Sequence, residues 1–174
     1  MQHILLIEDN LDVRENTAEI LELAGYRVST AADGKLGVEQ VYKSKPDLII
    51  CDIMMPVLDG YGVLHMLSKN PETTNIPFIF LTAMTERAEV RKGMEMGADD
   101  YITKPFDKTE LLRAVESRLK KVASLKQEFE KNLEGLTQFI GEVSGKEAMA
   151  KFTEDRQVKS YRKKESIYHE GDYP

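Results

Sequence analysis

Short apolar runs alternate with longer stretches whose apolar residues recur at helical spacing, and the alternation lasts for roughly the first 120 residues. The run from His3 to Ile7 (HILLI) reads as a strand buried on both faces, and it stops on Glu8 and Asp9. Asn10 is placed to cap a helix whose Val13, Thr17, Ile20, Leu21 and Ala24 share one side, and Gly25 closes it. Residues 26–31 predict a second strand and 35–44 a second helix. After Pro46, Leu48 to Cys51 form a third apolar strand that ends on Asp52, and MMPVLDG follows with a proline and a glycine to turn the chain. A third helix is expected over 60–70 and a fourth strand over 78–81, running into Thr82. Thr85 caps a helix expected over 86–96, which Gly97 stops; a short strand over 99–102 leads to Thr103-Lys104-Pro105 and a last helix from Asp107. Five alternations of strand and helix predict an α/β fold with a doubly wound parallel sheet. Right-handed crossovers then bring every strand's carboxyl end to one edge.

That edge carries Glu8, Asp9, Asp52, Thr82 and Lys104: three acids, a hydroxyl and an amine. Acids a few ångströms apart repel by about 4 kcal/mol per pair at a near-surface dielectric, so the cluster needs a cation or a raised pKa. A divalent ion that prefers hard oxygen ligands, Mg²⁺ above all, satisfies it. Other candidates have plainer roles. Asp59-Gly60 reads as a helix start, Asp99-Asp100 opens the fifth strand at the opposite edge, and His3 and His65 lie too far from the acids to share a metal. Met54, Met55, Met84, Met94 and Met96 are read as packing. Cys51, the single cysteine, excludes an internal disulfide and a cysteine metal cluster.

Charge adds an exclusion. Residues 1–121 carry 15 basic and 20 acidic groups (−5) and residues 122–174 carry 9 and 10 (−1), so neither part has the basic surplus that draws a protein onto nucleic acid. No apolar run approaches the roughly 20 residues of a membrane span, and the N-terminus reaches acidic residues too soon for a signal peptide. A cytoplasmic protein is expected.

The EDN after the first strand, DIMMPVLDG after the third, LTA after the fourth and Lys-Pro after the fifth together resemble the receiver domain of two-component response regulators. The resemblance covers residues 1–121 and implies a flavodoxin-like sheet of strand order 2-1-3-4-5. It implies that Asp52 is the phosphoacceptor, taking a phosphoryl group from a sensor histidine kinase or a phosphotransfer protein. It further implies that Glu8, Asp9, Asp52 and the backbone carbonyl of Met54 hold Mg²⁺, and that Lys104 pairs with Asp52 and later with the phosphoryl group. Thr82 is similar to the hydroxyl that moves toward the phosphoryl group and Tyr101 to the aromatic that follows it inward, while Lys104-Pro105 resembles the family's cis peptide. In this family the side chains two residues beyond Asp52 and Thr82 flank the phosphoryl group. Here they are Met54 and Met84, which neither orient a water nor act as a base, so a slowly hydrolysed aspartyl phosphate is expected.

From Leu112 the positions 112, 115, 119, 122, 126, 129, 133, 136, 140 and 143 alternate three and four apart, and nine of the ten are apolar, Lys126 being the exception. Such a pattern predicts a long helix over 122–150 whose distal part needs a partner, with a parallel dimeric coiled coil preferred. Gly135 and Gly141 weaken it. In residues 151–174, Tyr161, Glu165, Ile167, Tyr168, Glu170-Gly171-Asp172 and Pro174 resemble the opening of a cyclic-nucleotide-binding β-roll of the catabolite activator type. The expectation is the start of a truncated effector domain, poorly ordered without its remaining strands.

Two other classes of function fit these residues less well. An aspartate-nucleophile phosphatase of the haloacid-dehalogenase type needs a second aspartate two residues after the nucleophile, where Met54 stands. A phosphorylation-independent, receiver-like dimerisation module would show a lost acid, hydroxyl or lysine, and all five are present.

Overall fold

The computed structural model describes residues 1–83, 91 and 93–142, with side chains as far as 134. Met1–Lys126 forms one compact unit, and residues from Gln127 belong to a second. The strands are β1 (His3–Ile7), β2 (Arg27–Ala31), β3 (Leu48–Asp52), β4 (Phe78–Thr82) and β5 (Asp100–Thr103), and the helices between the first four are α1 (Leu11–Leu23), α2 (Gly34–Lys43) and α3 (Gly60–Ser68). A C-terminal helix, Lys108–Glu142, follows β5. All strand pairs are parallel, in the order β2-β1-β3-β4-β5. The expected sheet and its order are therefore present.

The helices begin where a short polar side chain accepts a hydrogen bond from the first free amides. Asn10 accepts from the amide of Val13 at 3.1 Å, Asp33 from Leu36 at 2.8 Å, Asp59 from Gly62 at 2.7 Å and Asp107 from Glu110 at 2.9 Å. At the end of α1 the cap is Ala24, and Gly25 behind it takes the left-handed φ of +92° that closes the turn.

Alternation along each strand sends side chains to opposite faces of the sheet. Leu5, Ile7, Ile49, Cys51, Phe78 and Phe80 pack with Val38 and Val41 of α2 and Val63, Leu64 and Leu67 of α3. Ile4, Leu6, Leu48, Ile50, Ile79 and Leu81 pack with Leu21 of α1 and with Leu111, Val115 and Leu119 of the C-terminal helix. Both faces are thus covered along β1, β3 and β4, which is why these three strands are apolar except at one end.

Several boundaries move by a residue or two. Tyr26 precedes β2, α3 ends at Ser68, β4 takes in Thr82, and Asp99 stays outside β5, where its carboxylate accepts from the amide of Phe78 at 2.9 Å. In the C-terminal helix Leu111 is fully buried and its neighbour Leu112 only half-buried, so the packed face runs through 111, 115 and 119. Met55 is buried, but Met54 and Met94 are 61% and 44% exposed, against their expected packing role. The start of the helix expected over 86–96, with Thr85 and Met84, lies outside the described residues, as do residues 143–174 and with them the expected β-roll start.

Candidate functional site

β1, β3 and β4 run side by side, so Glu8 just past β1, Asp52 at the end of β3 and Thr82 at the end of β4 meet at one edge. The register places Asp52 beside Leu81 and Thr82 beside Thr103. Lys104 follows directly, and its amide donates to the Thr82 carbonyl at 2.7 Å. The Lys104-Pro105 peptide is cis, as expected.

From that backbone the Lys104 side chain reaches two acids at once: its Nζ lies 2.6 Å from Glu8 Oε2 and 2.9 Å from Asp52 Oδ2. Glu8 is fully buried, Asp52 is 6% exposed and Thr82 1%, while Asp9 sits at the exposed lip. The other oxygen of Asp52 accepts from the Met54 amide at 3.3 Å, and Glu8 Oε1 accepts from the Asn10 amide at 3.3 Å. Burial pushes the Glu8 carboxyl above its ordinary range; the Lys104 hydrogen bond opposes that push and the charge on Asp52 adds to it. Lys104 shows the reverse balance. Burial works against its charge, but hydrogen bonds to Glu8 and Asp52 outweigh it and hold the ammonium above its usual value.

A close backbone approach sets the floor. Gly60 donates its amide to the Ile53 carbonyl at 3.0 Å, and a Cβ at this glycine would lie 2.4 Å from the Asp52 carbonyl oxygen. Only glycine lets α3 begin so near the end of β3.

The carboxylates of Glu8, Asp9 and Asp52 each offer an oxygen within 4.8 Å of the others. Three carboxylates face the ammonium of Lys104, which lies within hydrogen-bond reach of two of them, Glu8 and Asp52, and a divalent cation with oxygen ligands balances the remaining negative charge. The residues present therefore fit Mg²⁺.

Tyr101 of β5 is 43% exposed. Sequence reasoning missed Arg14, whose guanidinium donates to the carbonyls of Glu8 and Asp9. A signal for it was available: a cation at the start of a helix opposes the helix dipole and so calls for a partner.

The sequence profile of the response regulator receiver domain matches residues 4–116. The chain belongs to the response regulator receiver family. This receiver is 40% identical over 125 residues to the probable transcriptional regulator ycf27 of Guillardia theta, covering 70% of this chain and 48% of that one. It is 38% identical over 127 residues to the DNA-binding dual master transcriptional regulator RpaA of Synechocystis, covering 73% and 53%. The chain thus spans about half the length of these curated relatives. Among solved structures, the receiver domain of the sensor histidine kinase PA1611 from Pseudomonas aeruginosa matches with a TM-score of 0.64 at 33% identity, over 68% of this chain and 98% of that one. That domain has a magnesium ion coordinated in its active-site cleft.

Proposed function

We propose that this receiver accepts a phosphoryl group on Asp52 from a phosphohistidine of a sensor histidine kinase or phosphotransfer protein. One observation carries the reading: Lys104 Nζ lies 2.9 Å from Asp52 Oδ2, inside a bowl completed by Glu8 and Asp9. A carboxylate oxygen of Asp52 forms the new P–O bond as the P–N bond of the donor breaks, and the electron pair returns to the imidazole nitrogen. Burial keeps bulk water from the nucleophile, and the Met54 amide steadies its second oxygen. Glu8, Asp9, Asp52 and the backbone carbonyl of Met54 would hold Mg²⁺, which when bound offsets the negative charge of the phosphoryl oxygens.

A phosphoryl group on Asp52 gives Lys104 and the Thr82 hydroxyl a new anionic partner. A switch moves only by the difference in stability between its two states, so these contacts supply the driving force, and Tyr101, 43% exposed, follows them inward. Met54, 61% exposed beside the site, offers no group to orient water, which favours a long-lived phosphorylated state. The reading extends to a cytoplasmic transcriptional regulator whose N-terminal part is this receiver, supported by the names of the two relatives. The exposed Val122, Leu125, Phe129 and Leu133 favour a homodimer through the C-terminal helix.

Incubation with Mg²⁺ and acetyl phosphate, followed by intact-mass measurement, tests the assignment. One added phosphoryl group is expected, absent in Asp52→Asn and decaying over minutes or longer. Continuous release of inorganic phosphate, or equal labelling of Asp52→Asn, would overturn it.

A further inference from the structure

Arg14 is the fourth residue of α1, where the positive end of the helix dipole disfavours a cation. It is nevertheless half-buried, with Nη1 2.6 Å from the Glu8 carbonyl oxygen and 3.2 Å from that of Asp9. Its own amide donates to the Asn10 carbonyl at 2.9 Å, so the helix that carries the guanidinium starts directly after the turn it grips. Hydrogen bonds to two successive carbonyls fix two peptide planes, and those planes set the directions in which the Glu8 and Asp9 side chains leave the backbone.

The two acids depend on this grip unequally. Glu8 is also held by its amide to the Ala31 carbonyl at 3.0 Å, by the Asn10 amide and by Lys104. Asp9 is exposed, so the placing of its carboxylate rests on its backbone. We propose that Arg14 is a positioning residue for the cation site, holding the Glu8-Asp9 turn from behind so that both carboxylates stand at ligand spacing from Asp52. The proposal rests on the reading of this bowl as a Mg²⁺ site.

The sign of the effect separates this role from simple electrostatics. A nearby guanidinium acting only through its charge repels Mg²⁺, so its removal tightens binding. A guanidinium acting through geometry has the opposite effect. Arg14→Leu keeps an apolar stem and removes both charge and donors, and Arg14→Lys keeps the charge but loses the fork.

Calorimetric titration of Mg²⁺ into the native chain and both variants, with the thermal midpoint of each metal-free protein, decides the matter. Loss of a supporting contact behind a metal ligand predicts Kd raised about tenfold in Arg14→Leu and about threefold in Arg14→Lys, with the midpoint within a few degrees of native. Unchanged or tighter binding in folded Arg14→Leu overturns the proposal. Should that variant not fold, a native Kd in Arg14→Lys overturns it instead. A native chain that fails to bind millimolar Mg²⁺ sinks the cation-site reading itself, and the Arg14 role with it.

Discussion

Asp52 depends on a glycine eight residues away. Because a Cβ at Gly60 would meet the Asp52 carbonyl oxygen at 2.4 Å, a partner that is backbone and cannot rotate aside, Gly60→Ala must push β3 and α3 apart. Overpacking of this kind costs about 1–3 kcal/mol. Urea unfolding should show that loss, and labelling by acetyl phosphate should slow, since the nucleophile's backbone shifts with it; a variant of native midpoint and native labelling rate would show that the turn relaxes freely. At the same scale the five edge residues were legible, because each lies at or just past the carboxyl end of a predicted strand. The double contact of Lys104 was not. A sequence places an amine at the edge, but which carboxylate it reaches depends on depth, and Glu8, fully buried, stands as near to it as Asp52 does.

Among the elements, the C-terminal helix joins two kinds of surface. Leu111, Val115 and Leu119 are covered by the sheet, whereas Phe129 is 65% exposed and Leu133 46%. Phe129→Asp places a charge in that exposed stripe. If the stripe joins two copies, sedimentation equilibrium should find the native chain dimeric and the variant monomeric; two monomers would remove the dimer from the proposed function. The strands followed from the apolar runs, since strands covered on both faces admit few polar residues, and their order from the resemblance to receiver domains. Leu111 and Leu112 show what period alone leaves open. Both are apolar and lie 100° apart on the helix, so the face that wins is set by the sheet packed against it. Met54 and Met55 differ likewise, one exposed and one buried, because the β3–α3 turn decides which of two adjacent side chains points inward.

For the molecule as a whole, acid stability has a marker at the edge remote from Asp52. His3 is 5% exposed, its Nε2 lies 2.8 Å from Ser29 Oγ, and its amide donates to Asp47 at 2.7 Å. Burial first, and then the charge of Arg27, holds the imidazole below its ordinary 6.5, with Asp47 opposing. The fold therefore favours neutral His3: this stabilisation is whole above pH 6.5 and is lost as pH falls from there through the lowered value. One proton bound on unfolding gives a slope of at most about 1.4 kcal/mol per pH unit, and His3→Gln should flatten the stability profile below pH 6.5 by part of that amount. Parallel profiles for the two proteins would assign the acid sensitivity elsewhere.

The hydrogen bond from the Lys104 amide to the Thr82 carbonyl ties the end of β4 to the residue whose ammonium holds Asp52. Whatever draws one of them toward a new anion tugs the other along, so the pair should respond as a single latch. Deuterium uptake at that one amide, slower in the phosphorylated protein than in the unmodified one, would register the latch closing.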